Sequence, residues 1–403
     1  MREGWDVKKL GEILVKTETV DPTMKPNQKF VYLDVSSVNK ETKVIEDATV
    51  LLGKDAPSRA RKLVRIDDVI FATVRPTHSR VALISKEYDN QVCSTGYFVL
   101  RGKEFIDNKY LFYFLLTDEF NGFMEKMQKG ASYPAVTNTE VKNVNIRFPK
   151  SLPEQKRIVS ILDKTFAAIA KAKANAEQNL KNARELFESY LQGVFEDRGE
   201  GWAERPLGEI AKVIGGYSFK SSDFLKQGKY QVIRMGNVRP GVIRENERPV
   251  FIDELEENIR KRALLLPNDV IITQTGTKKK RDYGFTVVIE KDNYLLNQRI
   301  SAIRFSDNYL PKYFLYFSWT NLFKDQYFAN ETGTVGQGNV GIGAITNANI
   351  PFPKSKTEQK AIVKKLNTLS TKTKKLESIY QKKLTNLEEL KKTILQKAFK
   401  GEL

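Results

Sequence analysis

Cysteine and histidine are almost missing from this sequence, which has one of each, Cys93 and His78, in 403 residues. A single cysteine excludes an internal disulfide and a structural zinc cluster, and a single histidine excludes a histidine-based metal site. No apolar run reaches the roughly 18 residues that a membrane span needs, and the first residues lack the apolar stretch of a signal peptide. We therefore expect a cytoplasmic protein that contains no metal and does not contact a membrane.

The short motifs of the common nucleotide-dependent and DNA-modifying enzymes are missing as well. The chain has no phosphate-binding loop of the form Gly-x4-Gly-Lys-Ser/Thr, and no Pro-Pro pair of the kind that amino-methyltransferases use around the target base. Residues 336–341 do spell G-x-G-x-x-G, but they follow an aromatic helix instead of a strand, which predicts a flexible loop. No catalytic residue is therefore predicted in this chain.

Charge is unevenly balanced, with 67 Lys and Arg against 49 Asp and Glu, a formal net charge of +18 at pH 7. A surplus of this size indicates a polyanionic partner, and nucleic acid is the leading candidate. Residues 354–403 alone hold 14 lysines and five glutamates. Half of the surplus thus lies on one segment, so we expect the remainder of the chain to bind DNA only weakly by itself.

The sequence repeats once, at a distance of about 200 residues. A period this long exceeds that of solenoid repeats and indicates a duplicated domain. Two members of the series are Asp68-Val69-Ile70 with Asp269-Val270-Ile271, and Tyr110-Leu111-Phe112 with Tyr313-Phe314-Leu315. The first and last members are Trp5-x4-Leu10-Gly11-Glu12-Ile13 with Trp202-x4-Leu207-Gly208-Glu209-Ile210, and Glu154-Gln155-Lys156 with Glu358-Gln359-Lys360.

Each copy begins with short β-branched and aromatic runs between turn residues, which predict a mixed α/β globule of about 150 residues. Each copy then continues as one long helix, for which Ser151 with Glu154, and Ser355 with Glu358, form the pattern of a capping box. Apolar residues follow at spacings of three and four, so we expect the two helices to form an antiparallel coiled coil. Two separate helices, each lying along its own globule, are the alternative. The apolar stripe of the second helix is predicted to include Leu366, Leu369, Leu376, Ile379, Leu384, Leu387, Leu390 and Ile394.

The predicted fold class is α+β, with two tandem mixed α/β domains, two long helices and a pseudo-two-fold internal repeat. The predicted segments are residues 1–150 for the first domain, 151–197 for the first helix, 198–353 for the second domain and 354–403 for the second helix.

Several polar loops carry residue types that read base edges: Arg and Lys for guanine, Asn and Gln for adenine, and hydroxyls for either. They lie after the Asp-Val-Ile strand of each copy, after the aromatic helix of each copy, and near the start of the second copy. A solvated basic turn is the alternative for any one of them, but their recurrence at matched places favours a DNA-binding role. The candidate residues are Arg75, Thr77, His78, Ser79, Arg80, Lys129, Ser132, Tyr133, Tyr217, Lys220, Arg234, Asn237, Gln274, Thr275, Thr277, Lys278, Lys279, Thr334, Gln337 and Asn339.

With these features the sequence resembles the specificity subunits of type I restriction-modification systems. The resemblance covers essentially the whole chain and depends on the Trp-x4-Leu-Gly-Glu-Ile openings, residues 230–238, the Pro-Glu-Gln-Lys-Arg-Ile-Val junction at 153–159 and the closing residues 395–403. The first copy departs from the pattern at residues 31–38, where the second copy has its Arg-Met-Gly-Asn turn.

The resemblance implies two target recognition domains, each of which reads one half of an asymmetric bipartite site in double-stranded DNA, and helices that set the spacing between them. It also implies a chain without catalytic activity or cofactor. Methyltransferase subunits would bind S-adenosylmethionine and transfer the methyl group, and restriction subunits would cleave the DNA. A fused restriction or methylation enzyme with an unrecognised catalytic part, and a basic scaffold without sequence preference, remain alternatives.

Overall fold

The computed structural model describes residues 3–334 and 336–403. The first two residues of the predicted first domain, and Val335 within a predicted loop of the second copy, lie outside the described residues. The chain divides into two compact units: unit 1 is Met1–Glu177 with Gln381–Leu403, and unit 2 is Gln178–Tyr380. Both long helices cross a unit boundary, so each unit contains part of each helix.

Unit 1 builds its globule from a four-stranded, a three-stranded and a two-stranded sheet and several short helices. Its described strands are β1 (Trp5–Lys9), β2 (Lys29–Leu33), β3 (Thr49–Leu52), β4 (Ala60–Val64), β5 (Val69–Ala72), β6 (Val81–Leu83), β7 (Gln91–Ser94), β8 (Tyr97–Leu100) and β9 (Asn145–Pro149). The helices are α1 (Leu10–Ile13), α2 (Asn108–Phe114), α3 (Asp118–Met127), α4 (Asn138–Lys142) and the long α5 (Leu152–Glu196). The sheet orders are β3-β2-β7-β4, β6-β5-β8 and β1-β9, with β2 and β7 parallel.

Unit 2 has the corresponding sheets and two small additional ones. Its described strands are β10 (Trp202–Pro206), β11 (Ala211–Gly215), β12 (Tyr230–Ile233), β13 (Val238–Arg239), β14 (Val242–Ile243), β15 (Phe251–Ile252), β16 (Val270–Thr273), β17 (Thr275–Gly276), β18 (Thr286–Val288), β19 (Tyr294–Leu296), β20 (Ile300–Phe305), β21 (Thr332–Thr334), β22 (Gln337–Asn339) and β23 (Asn349–Pro353). The helices are α6 (Leu207–Ile210), α7 (Glu257–Ala263), α8 (Pro311–Phe317), α9 (Asn321–Ala329), α10 (Ile342–Thr346) and the long α11 (Lys356–Lys400). The corresponding sheets have the orders β11-β20-β16-β18, β15-β12-β19 and β10-β23, and the two small additional ones are β13-β14 and β17-β22-β21.

The internal repeat is confirmed by strand register. In unit 1 the opening strand β1 pairs antiparallel with β9, so that Trp5 lies opposite Pro149. In unit 2 β10 pairs with β23 in the same way, and Trp202 lies opposite Pro353. Each globule is thus closed by its first and last strands directly before a long helix begins.

A buried ion pair also recurs at the start of each central strand. Asp68, directly before β5, accepts two hydrogen bonds from Arg101, at 2.7 and 2.8 Å. Asp269, directly before β16, accepts two from Arg304, at 2.8 and 2.7 Å. Both carboxylates are almost completely buried. Their hydrogen bonds hold the pKa of each arginine above its ordinary value, so both arginines stay charged near neutral pH.

The long helices begin where the sequence predicts, one residue after Ser151 and one residue after Ser355. A glutamine in the first turn attaches each helix to its globule. Gln155 is fully buried, accepts a hydrogen bond from the Asp107 amide at 2.9 Å, and donates to the carbonyls of Phe105 and Pro149 at 3.0 and 2.8 Å. Gln359 makes the equivalent contacts in unit 2.

Replacement of Gln155 by Leu is expected to lower the free energy of unfolding of unit 1 by about 2 kcal/mol, because the Asp107 amide and the carbonyls of Phe105 and the buried Pro149 lose this partner. Urea denaturation followed by hydrogen exchange in residues 105–110 measures this loss. Gln178→Leu is the control, since Gln178 lies on the same helix where unit 2 begins, is exposed, and donates to the exposed side chain of Asn182 at 2.7 Å. Equal destabilisation by both changes would contradict the attachment role.

Within each unit, the helix segments run antiparallel. In unit 1, Arg157 donates to the carbonyl of Leu403 at 2.9 Å, and Lys173 pairs with Glu388 at 2.6 Å, so the numbers rise on one helix as they fall on the other. In unit 2, Arg184 pairs with Glu377 at 3.1 Å. The predicted antiparallel pairing is therefore confirmed.

The helix ends also enter the globule cores, although the alternative of two separate helices, each along its own globule, does not hold, because the helices pair. The main core of unit 1 includes Ile158 and Leu162 of α5 together with Leu395 and Phe399 of α11. Leu191 and Phe195 of α5 join Leu366 of α11 in the core of unit 2. Pairing and packing on the globule thus occur together. No helix among the described residues has an apolar stretch sufficient to cross a bilayer.

One part of the predicted helix stripe is wrong. Leu376, Ile379 and Leu390 are 40, 50 and 45 % exposed, whereas the polar Ser370 and Thr373 are buried. The buried positions of α11 follow a repeat of three and four residues, as in a coiled coil, and this register places small hydroxyl residues in the seam. A prediction from apolar residues alone therefore places Leu376, Ile379 and Leu390 in the contact between the helices and omits Ser370 and Thr373.

Candidate nucleic-acid interface

In unit 1 the predicted loop at residues 75–80 contacts the predicted loop at residues 129–133 beyond the end of β5. Arg75 donates its amide to the Pro134 carbonyl at 2.7 Å, and its guanidinium lies over the Tyr133 ring, 5.0 Å from the centroid. Arg75 and Ser79 adopt left-handed backbone conformations, with φ of 50° and 46°, on either side of a 3-10 turn. Such conformations are costly for residues other than glycine and cluster at functional sites.

The exposed side chains of this loop pair are the ones able to reach a ligand. Tyr133 is 72 % exposed, which leaves the ring face opposite Arg75 open to solvent. The other exposed candidates on these two loops are Thr77, His78, Lys129 and Ser132.

Ser79 and Arg80 are directed into the protein. The Ser79 hydroxyl donates to Asn121 at 2.5 Å. The Arg80 guanidinium donates to the carbonyls of Ser36, at 3.2 Å, and Val38. Ser79 thus holds the loop against α3, and Arg80 holds it against the turn at residues 35–37, the segment where the first copy departs from the family pattern.

Lys43 also contacts the loop at residues 75–80. Its ammonium donates to the carbonyls of Lys40 and Ser79, both at 2.6 Å. Burial, with a smaller contribution from the charge of Lys391, lowers the pKa of Lys43 to about 8. The folded chain therefore disfavours the charged form. Near pH 7 the ammonium is still protonated and able to donate, and it loses its proton as the pH rises through about 8.

Arg75→Ala and Arg80→Ala are expected to have different effects. Loss of Arg75 should weaken DNA binding at particular base pairs, by about 1–3 kcal/mol for a bidentate base contact. Loss of Arg80 should mainly lower the stability of unit 1, because its contacts are to backbone carbonyls. Competition binding with single-base-pair variants of the target, together with thermal unfolding of both proteins, separates the two effects. A uniform loss across all sequences for Arg75→Ala would assign it to phosphate.

In unit 2 the two corresponding loops join in a small sheet of order β17-β22-β21. Thr275, on β17, lies opposite Asn339 on β22, and its hydroxyl donates to the Asn339 side chain at 2.9 Å. The predicted flexible loop with the G-x-G-x-x-G pattern is therefore partly strand. Thr334 and Gln337 are exposed on this sheet, whereas Thr275 is buried.

Two of the candidates in unit 2 have structural partners that remove them from the surface. Gln274 is buried, donates to the Val340 carbonyl at 3.0 Å and accepts from Ser301 at 2.9 Å. Asn237 is buried and donates to the Glu247 carbonyl at 2.7 Å. Amide side chains are equally suited to adenine edges and to backbone carbonyls, so their type alone did not distinguish these roles.

The remaining candidates of unit 2 differ in exposure. Lys220 and Lys279 are exposed, while Lys278 and Thr277 are partly buried, and Thr277 is tied to Asp282 by its amide at 2.6 Å. Tyr217 packs edge-on against Phe219 with ring centroids 4.9 Å apart.

An arginine-lined groove lies beside this small sheet. It consists of two adjoining cavities of about 470 and 560 Å³, both of which are lined by Met235, Gly236, Arg239 and Arg299. Thr277 and Gln337 line the second cavity. The predicted loops therefore open onto one concave basic surface.

Arginines from three separate segments line the first cavity. They are Arg234 with Arg239, then Arg248, then Arg299. Arg234 donates to the carbonyl of Arg248, and Arg239 donates to the Val238 carbonyl at 2.8 Å. Arg248 and Arg299 have left-handed backbones, with φ of 50° and 68°. Sequence reasoning missed Arg239, which lies on β13 directly after the Arg-Met-Gly-Asn turn, and also Arg248 and Arg299, which only folding brings to that turn.

The remaining reactive groups do not indicate metal or thiol chemistry. No group of three His, Cys, Asp or Glu side chains within residues 3–334 and 336–403 is arranged to hold a metal ion. Cys93 lies in the core of unit 1, where burial raises the pKa of its thiol to about 12. The thiol is therefore protonated at neutral pH and unreactive.

Comparison with known families agrees with this geometry. The model of the type I restriction modification DNA specificity domain matches residues 2–181 and again residues 199–387. The chain belongs to this family. The two matches correspond to the two copies of the repeat, so each copy is one domain of this family.

Relatives and solved structures support the same assignment. The chain is 26 % identical to the MjaVIII specificity subunit of Methanocaldococcus jannaschii, over 74 % of this chain and 71 % of that protein. It is 22 % identical to the EcoKI specificity subunit of Escherichia coli K12, over 100 % and 89 % of the two chains.

Two solved structures are similar over nearly their whole length. A chain from a type I R-M system, solved to explain complex assembly and conformational transition, is 27 % identical with a TM-score of 0.84, over 100 % of this chain and 99 % of that one. The HsdS subunit from Thermoanaerobacter tengcongensis is 28 % identical with a TM-score of 0.68, over 100 % and 98 %. Sequence and fold thus place the whole chain among type I specificity subunits.

Proposed function

We propose that this chain selects the DNA sequence for a type I restriction-modification complex, and that each recognition domain reads one half of an asymmetric bipartite site. The observation that carries the proposal is the loop pair at the end of the central strand of each globule. The two pairs occupy matched places, but unit 1 presents Arg75 and Tyr133 on its loops, whereas unit 2 presents Thr334 and Gln337 on a small sheet beside a groove lined by Arg239 and Arg299. Different side chains at equivalent positions are what two different half-sites require.

The chemistry of each surface suits duplex DNA. Arginine is the side chain that most often reads guanine through its O6 and N7 atoms, and both surfaces offer it on a fixed backbone. The Lys129 side chain, 84 % exposed in unit 1 and 3.5 Å from Glu140, is accessible to phosphates, which fix the register of a protein on DNA. Each surface therefore combines base-reading and phosphate-binding groups.

Methyl transfer and cleavage are assigned to partner subunits. In this proposal two methyltransferase subunits bind S-adenosylmethionine and dock on the long helices, and restriction subunits cut the DNA. This chain then needs no cofactor and works in the cytoplasm, where its DNA target is. The long helices set the distance between half-sites, which in dimeric DNA readers is about one helical turn, roughly 34 Å.

Arg299→Ala is expected to relax one half of the recognised sequence. Loss of one bidentate guanine contact reduces discrimination at that base pair by about 1–3 kcal/mol, while the half read by unit 1 is unchanged. Methylome sequencing of a host that carries this gene and its methyltransferase partner measures both halves at once.

Lys212→Ala is the control, since Lys212 is exposed on β11 and does not line the groove. Unchanged specificity in Arg299→Ala would remove this arginine from base reading. Methylation by the isolated chain, or its binding of S-adenosylmethionine, would instead favour an enzyme fused within one polypeptide.

A further inference from the structure

A second concave site lies in unit 2 where the start of α8 meets the first turns of α11. This cleft has a volume of about 420 Å³. Lys312 of α8 and Lys360 and Lys364 of α11 line it, together with the amide side chains of Asn268 and Asn367. Its lining contains no carboxylate.

The internal repeat supplies a natural reference for this cleft. In unit 1, Asp163 occupies the position of Asn367, and it accepts hydrogen bonds from the Lys109 ammonium at 2.7 Å and the Tyr113 hydroxyl at 2.6 Å. In unit 2, Asn367 still accepts from the equivalent tyrosine, Tyr316, at 2.7 Å. The structural hydrogen bond is thus retained while the negative charge has been removed.

Two further positions change in the same direction. Asn268 stands where unit 1 has Asp67, and both residues hold the same left-handed turn, with φ of 74° and 67°. Lys364 stands where unit 1 has Ser160. Over the whole lining, the equivalent positions of unit 1 hold three acidic and three basic residues, whereas the cleft of unit 2 holds three lysines and no acid.

We propose that this cleft binds a small phosphorylated metabolite of the nucleoside diphosphate class. Three lysines from two helices, without a carboxylate in the lining, favour a phosphate with two or more negative charges. Leu310, Pro311 and the buried Val363 provide an apolar surface for the uncharged part of such a ligand.

The position of the cleft separates it from the DNA-reading groove. Asn268 lies before β16, whereas the recognition loop that begins at Gln274 follows the other end of that strand. Because the two sites lie at opposite ends of one strand, DNA that lies in the groove need not contact the cleft. The proposal is therefore independent of the DNA-reading function.

Isothermal titration of the full chain with ADP, and separately with inorganic pyrophosphate and adenosine, tests the site. We expect ADP to bind more tightly than adenosine. Lys364→Ser and Asn367→Asp, which each restore the residue of unit 1, should weaken ADP binding by at least about tenfold, or about 1.4 kcal/mol. Lys365→Ser is the matched control, because it removes the same charge one position away on α11 and outside the cleft. It should change the affinity less than about twofold.

Three results would overturn the proposal. The first is that the wild-type chain does not bind ADP, and the second is that Lys365→Ser weakens binding as much as Lys364→Ser. The third is that a duplex of unrelated sequence displaces ADP with the same dependence on Lys364 and Asn367, which would assign the cleft to the DNA backbone.

Discussion

Exchange of residues 1–150 for the corresponding segment of another type I specificity subunit is expected to change one half of the methylated sequence and leave the other half intact. The segment is closed on itself, because β1 pairs with β9 immediately before α5 begins. It also contains both loops of the unit 1 surface, including Arg75 and Tyr133. Each mismatched base pair costs about 1–3 kcal/mol, so three new bases should weaken recognition of the old site at least roughly 100-fold.

Methylome sequencing of cells with the chimera and its methyltransferase partner gives the result directly. The reciprocal exchange, of residues 198–353, serves as the control and should alter only the other half. If either exchange changed both halves, each half would depend on both domains and the assignment of one domain to one half-site would be wrong. A changed distance between unchanged halves would instead point to the helices.

Asp68→Ala is expected to destabilise unit 1 by about 3 kcal/mol, one of the largest effects open to a single substitution in this chain. The Asp68 carboxylate is almost completely buried. It pairs with Arg101 and accepts a hydrogen bond from the Arg65 amide at 2.9 Å. Removing it leaves the Arg101 guanidinium, which is itself only 20 % exposed, without its main partner. Glu18 also contacts Arg101 at 2.9 Å, which keeps the loss at the lower end of the range for buried pairs.

Hydrogen exchange measured by mass spectrometry locates this loss. Faster exchange is expected in β5 and β8, because Asp68 precedes one strand and Arg101 follows the other, while the strands of unit 2 remain protected. Glu185→Ala breaks an exposed pair with Lys181 and should change stability by no more than about 0.5 kcal/mol. An equal loss in both variants would show that burial of the Asp68 pair has no special effect.

The repeat, the start of each long helix and the antiparallel pairing could all be predicted from sequence, because each depends on local spacing. Trp5 and Trp202 lie on the closing strands, and Ser151 and Ser355 directly precede the long helices. These positions align when the two copies are compared. The meeting of the two loops in each globule was not predicted. It depends on long-range strand pairing, such as that of Thr275 with Asn339.

Individual side-chain roles were the least predictable part. Arg80, Asn237 and Gln274 have the residue types of base readers, yet each satisfies backbone carbonyls within the protein. Conversely, Arg299 was overlooked because nothing in its neighbourhood in sequence indicates a groove. A polar side chain has the same donors whether it faces solvent or a buried carbonyl, so only the fold decides between these roles.

The division of unit 1 between two distant parts of the chain has a consequence for synthesis on the ribosome. Its core needs Leu395 and Phe399, which emerge more than 200 residues after Glu177. Unit 2 is continuous, so all of its core is available before residues 381–403 have been translated. The half of the molecule that is made first is therefore the last to be completed, and until then its Tyr110 and Phe114 lack the aromatic ring that covers them in the finished protein.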